Sequence, residues 1–219
     1  MSLPVITEEY ISQRLRAAFN HTVDQPPALH TLPADLRPAA VLIPLFHASE
    51  QDRLDHVWRV LFTRRTQAVA EHQGQVAFPG GRADPGDSSP ESTALREAHE
   101  EIGVDPTQVR ILGCMNELRT ISNYCVTPVV GVIQWPFPII KEEIEVSRVF
   151  SIPLDWLADP LHHEIRNFTV PPPYAQLLHQ QVRPVIYFQT YDNELLWGVS
   201  AQITLNFIHI LENKKLAGT

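Results

Sequence analysis

The chain has 219 residues, 44% hydrophobic and 19% charged, which fits one globular domain with or without extensions. Its net charge of −8 argues against a general nucleic-acid surface, which would be basic. No stretch of about 18 apolar residues reads as a membrane span, and the N-terminal MSLPVITEEY lacks a basic region followed by an apolar core. The two cysteines, Cys114 and Cys125, sit in apolar surroundings without metal-ligand spacing, so free buried thiols in a reducing cytoplasm are expected.

Thr7-Glu8-Glu9 opens a helix running to about Asn20, with Ile11, Leu15, Ala18 and Phe19 on one face, for packing on the domain or on a dimer partner. Asp24 to Pro38 carries four prolines and reads as an extended linker, which sets off residues 1–37 from a domain at 38–219. Arg37 stands at the linker's end, where it meets an anionic substrate or only solvent. Ala39 to His47 reads as a buried strand, Gln51 to Asp55 as a turn, and His56 to Thr63 as a second strand ending in Thr63-Arg64-Arg65. A polar loop over 66–73 contains His72. Gly74 to Phe78 is a third strand leading into Gly80-Gly81.

An acidic loop with Asp84, Gly86 and Asp87 follows. Ser88-Ser89-Pro90-Glu91 is a helix start, with a serine cap, proline at the first helical position and an acid in the first turn. Gly103 is a left-handed stop. Inside this helix Glu97, Glu100 and Glu101 fall at i, i+3 and i+4 and share a face, with Leu95, Ala98 and Ile102 expected opposite. Like charges at this spacing cost roughly 0.2–0.5 kcal/mol per pair on an isolated helix. A solvated face tolerates that cost; hard divalent cations would exploit it, because carboxylate oxygens suit Mg²⁺ together with substrate phosphates. Arg96 can hold a carboxylate bidentately.

Downstream, strands are expected at Val109–Met115, Val126–Gln134 and Ile144–Ile152, with a loop over 116–123 and a short helix over Pro153–Ala158. Glu142, Glu143 and Glu145 are candidate acids outside the helix, and Glu145 leads. The adjacent His162-His163 pair is poorly spaced for one metal and is expected on the surface. Val170 to Tyr174 holds three prolines and reads as a loop. Val185–Tyr191 and Glu194–Val199 suggest a hairpin around Asp192-Asn193. Ser200 is expected to cap a last helix to about Asn213, with Ile203, Phe207, Ile210 and Leu211 buried. Strands interleaved with few helices imply α/β, a mixed β-sheet between helices in an α/β/α sandwich.

The stretch from Gly80 to Val104 resembles the Nudix box, whose pattern is Gly, five residues, Glu, seven residues, Arg-Glu-apolar-any-Glu-Glu-any-Gly-apolar. Gly81 and Asp87 fit the first half with Asp for Glu; eight residues then precede Arg96, and the match is complete from Arg96 to Val104. Leu61-Phe62-Thr63-Arg64-Arg65, with Gly74 and Phe78-Pro79-Gly80-Gly81, is similar to the added signature of the coenzyme A pyrophosphatase branch. Members of that branch often share the Asp and the extra residue. Thr66 and Ala70 depart from the signature, Ala70 replacing an arginine. The likeness continues through Tyr124 to Val130, through Glu145 to Phe150 and at Trp197-Gly198.

This resemblance implies a Nudix-type α/β/α sandwich and metal-dependent hydrolysis of the coenzyme A or acyl-coenzyme A pyrophosphate, giving 3′,5′-ADP and 4′-phosphopantetheine or its acyl form. It implies Mg²⁺ or Mn²⁺ held by Glu97, Glu100, Glu101 and the Gly80 carbonyl, with Glu97 or Glu145 as general base and Arg96 orienting the carboxylates. Arg65, Arg64, Arg37 and Tyr124 are candidate contacts to a small-molecule substrate, Arg65 first because it matches the branch signature. His72 and His99 are weaker candidates. A Nudix hydrolase of NADH, ADP-ribose or a nucleoside triphosphate is the alternative that Ala70 favours, and a non-catalytic binding module is the third. Neither nucleic acid nor membrane is expected as a partner; a homodimer is compatible with the sequence.

Overall fold

The computed structural model describes residues 6–20, 36–48, 57–67, 73–169 and 182–213. The linker over 24–35, the turn at 51–55, Ala70, His72 and the proline triplet at 171–173 lie outside the described residues.

Helix α1 (Glu8–Asn20) precedes β1 (Arg37–Ala48), β2 (Val57–Arg65), β3 (Val76–Ala77) and β4 (Gly80–Arg82). Helix α2 (Pro90–Ile102) follows, then β5 (Val109–Cys114), β6 (Leu118–Arg119), β7 (Tyr124–Ile133), β8 (Val146–Pro153) and α3 (Leu154–Ala158). The ribbon β9 (His163–Thr169) and β10 (Val182–Phe188) leads to α4 (Gly198–Leu211). Strands β1 to β8 form one sheet, with β3-β2-β1-β7-β5 as its spine, β4 on β1, β6 on β7 and β8 on β2. The β1–β7 pair is parallel and the other pairs are antiparallel. The sheet is therefore mixed, as expected.

The apolar run along β1 explains its central place. A strand covered on both faces reads as continuously hydrophobic rather than alternating. Ala40, Leu42 and Phe46 pack with Ala94, Ala98 and Ile102 of α2. Ile43 and Leu45 face the other way, toward Ile11 and Leu15 of α1 and Ile203 and Phe207 of α4. Tyr10 donates its hydroxyl to the Leu211 carbonyl at 2.6 Å and Ser12 donates to Leu112 at 3.0 Å, so α1 is fastened to both α4 and β5.

Several expectations need correction. Phe19 is 38% exposed, because the α1 stripe that meets the core stops at Ala18. The 116–123 segment contains β6. Helix α4 starts at Gly198, capped by Trp197 without a side-chain bond, so Ser200 lies inside it; it is buried well beyond its expected stripe, including Ala201, Thr204, Leu205 and Ile208. Asp192 and Asn193 do adopt the positive φ of a tight turn, 50° and 64°. Beyond that turn only single bridges form, Tyr191 to Glu194 and Tyr187 to Trp197, because α4 begins at Gly198, inside the expected second strand. His162 and His163 are half-buried, His162 stacking on Trp156 at 4.3 Å. Cys114 is half-buried and Cys125 buried; both are free. Each thiol donates to a carboxylate, Glu91 and Glu117, and burial beside that acid pushes it up to about 12. No helix among the described residues is long and apolar enough to cross a membrane.

Candidate active site

Helix α2 is fixed at both ends by its own sequence. Ser89 accepts from the Ser92 amide while the Ser92 hydroxyl accepts from the Ser89 amide, a reciprocal cap, and Pro90 follows. Gly103 closes the helix at φ 77°, and a side chain there would press on Ile140. This phase sets the acids in three environments. The Glu100 side chain is 57% exposed, Glu97 17% and Glu101 5%. Glu101 therefore belongs to the buried side, beside Ala98 and Ile102, rather than to one solvated acidic face.

Arg96 organises the loop and the helix together. Its Nε and Nη2 donate to the two Asp87 oxygens at 3.1 and 2.9 Å, a bidentate clasp. Nη1 donates to Glu97 at 2.9 Å and Glu100 at 3.1 Å, and Nη2 also reaches the Arg82 carbonyl at 2.9 Å. Asp87 accepts further from the Thr93 hydroxyl and the Asp84 amide, both at 2.9 Å. These bonds, Arg96 first, hold its carboxyl well below the usual range despite burial. Asp87 was legible as a motif position only; its role as Arg96's anchor is visible in the structure.

Glu97 and Glu101 shift the opposite way. Burial is the main cause for both. Glu100 and Glu145 add repulsion at Glu97, while Glu97 and Glu145 add it at Glu101. Arg65 and a hydrogen bond from the Gly80 amide offset part of this, yet Glu101 is pushed up to about 8. One Glu101 oxygen, Oε2, is buried with no hydrogen-bond partner. Gly81 makes room for Glu97: a Cβ at position 81 would fall 2.5–2.7 Å from the Glu97 carboxylate atoms. Gly80-Gly81, which open β4 rather than form a turn, thus bring bare backbone against one acid and an amide against the other.

Arg65 stands in this cradle, its Nη1 3.8 Å from Glu101 Oε1 and its Nε buried without a partner. Glu145 is exposed in the turn before β8, one residue short of the strand it was expected to open. Its carbonyl accepts from the Thr66 amide at 2.9 Å, and the Glu142 amide donates to the Glu101 carbonyl at 2.9 Å, which ties that turn to β2 and α2. Glu142 accepts from the Ile144 amide within the turn, and Glu143 pairs with Lys141. Arg64 is not brought into the site. Strand alternation sends it to the opposite sheet face, where Glu194 accepts from Arg64 at 3.4 Å and Arg148 at 2.9 Å. Arg37 and Tyr124 are partners across β1 and β7, the guanidinium 5.8 Å over the ring. They share the end of β1 against which β4 ends, since the Ala83 amide donates to the Pro38 carbonyl. The His99 ring contacts the Val104 carbonyl at 3.0 Å, a helix-end contact.

The NUDIX domain pattern matches residues 36–170. The chain belongs to the Nudix family. Uncharacterized Nudix hydrolases named NudL from Yersinia pestis (strain Pestoides F) and Yersinia pseudotuberculosis serotype O:1b (strain IP 31758) are each 36% identical over 205 residues, covering 91% of this chain and 94% of theirs. The crystal structure of a MutT/nudix family protein from Enterococcus faecalis shares the fold, with a TM-score of 0.50 at 14% identity, covering 94% of this chain and 73% of that one. The protein is thus a Nudix hydrolase, and the substrate class of the family is a small molecule containing a pyrophosphate.

Nudix hydrolases use divalent metal ions. The residues here suit such an ion in kind. The donors are hard carboxylate oxygens, one buried and unpartnered, in a cluster whose acids raise one another's affinity for positive charge. Among the described residues no three acids, histidines or cysteines already converge on a metal-sized point. Arg96 instead takes up Glu97 and Glu100, and Arg65 stands toward Glu101, so two resident cations balance the cluster.

Proposed function

We propose that this Nudix hydrolase cleaves the pyrophosphate of coenzyme A or an acyl-coenzyme A, releasing 3′,5′-ADP and 4′-phosphopantetheine or its acyl form. The observation that carries hydrolysis is buried Glu101 and half-buried Glu97 against the Gly80-Gly81 start of β4, next to Arg65. The coenzyme A preference is supported by the branch signature running from Leu61 to Gly81, which ends at the start of β4. Glu97, Glu100, Glu101 and the Gly80 carbonyl are the proposed holders of Mg²⁺ or Mn²⁺, which when bound supplies counter-charge for the phosphates and acidifies water.

The chain's own groups then have defined tasks. Water attacks one phosphorus, the bridging P–O bond breaks, and the departing phosphate keeps the electron pair. The water's proton passes to Glu97 or Glu145; the raised affinity of Glu97 for a proton suits it to this role. Arg96 keeps Glu97 and Glu100 aimed while Asp87 anchors Arg96. Arg65 is proposed to meet a substrate phosphate, and Arg37 with Tyr124 to meet the substrate at the other end of β4. Residues 38–219 are the proposed catalytic domain, with α1 a docked extension, in a cytoplasmic setting.

Ala70 favours a second reading, in which the substrate is NADH, ADP-ribose or a nucleoside triphosphate. Incubation with coenzyme A, NADH and ADP-ribose, each with Mg²⁺ or Mn²⁺, followed by product separation, decides between them. Release of 3′,5′-ADP from coenzyme A is expected. Fast cleavage of NADH or ADP-ribose without 3′,5′-ADP from coenzyme A would establish the second reading instead.

A further inference from the structure

The ribbon of β9 and β10 forms a sheet of its own, separate from the main one. A two-stranded ribbon is marginally stable in water unless further strands or a packed face support it. One face of this ribbon is supported where Ile186 and Phe188 enter the core beside α4. Farther out the same face carries Ile165, Pro184 and Val182, with Ile165 66% and Val182 50% exposed. Among the described residues β9 pairs only with β10, and Glu164, Ile165, Arg166 and Asn167 are all exposed. An unpaired strand edge is a template for another strand, and proteins either blunt it or use it.

The order of residues along β9 says which strand fits. Ile165 is central, Glu164 precedes it and Arg166 follows. Laid antiparallel against itself about Ile165, β9 sets Glu164 opposite the second copy's Arg166 and Arg166 opposite the second copy's Glu164. Both opposite-charge pairs form at once, and the two isoleucines meet between them. Direct cross-strand neighbours of opposite charge and of branched apolar type stabilise antiparallel pairs, and like charges there destabilise them. At the ends, the same two-fold sets exposed Leu161, which precedes β9, opposite the second copy's Thr169, the last residue of β9. Within one chain Glu164 and Arg166 already bond side by side on the same ribbon face, and Arg166 lies 4.9 Å over the Tyr187 ring, which holds both charges in place for a partner.

We propose that two copies of this chain form a symmetric dimer by antiparallel pairing of their β9 edges about Ile165, joining two ribbons into one four-stranded sheet. Such an interface is isologous, as two-fold dimers require. It uses nothing from the acid cradle, so it stands or falls separately from the proposed substrate.

Light scattering coupled to size exclusion, across a dilution series of the full chain, tests it with three variants. The wild type should run at the mass of two chains. Glu164→Arg sets Arg against Arg twice and should weaken the dimer at least about a hundredfold, giving single chains. Ile165→Lys should do the same. The double reversal Glu164→Arg with Arg166→Glu recreates both pairs and should restore the mass of two chains. Hydrolytic activity per chain should stay unchanged in every variant, which also shows that each has folded. A wild type of single-chain mass throughout overturns the proposal. So does a dimer that Glu164→Arg leaves intact, or one that the double reversal fails to restore.

Discussion

Asp87 and Glu101 carry the same functional group and are driven in opposite directions by their surroundings. Asp87 gains a bidentate arginine and two further donors; Glu101 loses water and faces two other acids. The consequences for stability have opposite signs. Asp87, with its pKa lowered, contributes stability above its ordinary value of 3.8 that is lost as the solution is acidified below it. Asp87→Ala should therefore lower the melting temperature at neutral pH, by about 1–3 kcal/mol of unfolding free energy, and the deficit should shrink toward acid. Glu101, with its pKa raised, binds a proton in the folded state that the unfolded chain has released. Its contribution is full below about 4.5 and is lost as pH climbs to about 8. Metal-free protein should thus lose melting temperature over that window, and Glu101→Gln should flatten the loss. The same substitution should cut kcat at least about a hundredfold with the fold intact; near-normal turnover would remove Glu101 from the reaction.

At the scale of elements, helix phase and strand alternation decide which side chains meet. The start and stop of α2 were legible because Ser89, Pro90 and Gly103 each do one local thing. The burial of Glu101 was less so. The i, i+3, i+4 spacing groups it with Glu97 and Glu100, yet Glu101 also lies seven residues from buried Ala94 and so on nearly the same side of the helix. Strand β9 was missed because His163-Glu-Ile-Arg-Asn-Phe-Thr is mostly exposed and shows no apolar alternation. On β2, adjacent arginines part to opposite faces. Arg65→Ala should weaken catalysis, whereas Arg64→Ala should act on stability, since buried Glu194 then keeps Arg148 alone; steady-state kinetics beside thermal melting would separate the two. On β4, Gly81→Ala should displace the Glu97 carboxylate and lower kcat by about 10²–10⁴-fold, the range of a lost general base, with a small change in melting temperature.

The whole molecule couples these parts through one strand. β1 pairs with β4, which opens with Gly80-Gly81, with β2, which carries Arg65, and with β7, which carries Tyr124, while its apolar face seats α2. A chain of net charge −8 repels a polyanionic substrate, so bound cations must reverse the sign locally. They should also stabilise the fold, by about 2.7 kcal/mol at a concentration a hundredfold above the dissociation constant, and more strongly at pH 8 than at pH 6 because they compete with protons on buried acids. Binding of Mn²⁺, followed by electron paramagnetic resonance in the wild type and in the Glu97→Gln/Glu101→Gln double variant, tests the acid cradle most directly. The wild type should take up the ion and the double variant should bind it at least about a hundredfold more weakly. Equal binding by both proteins, or none by the wild type, would contradict the assignment of these carboxylates to the metal.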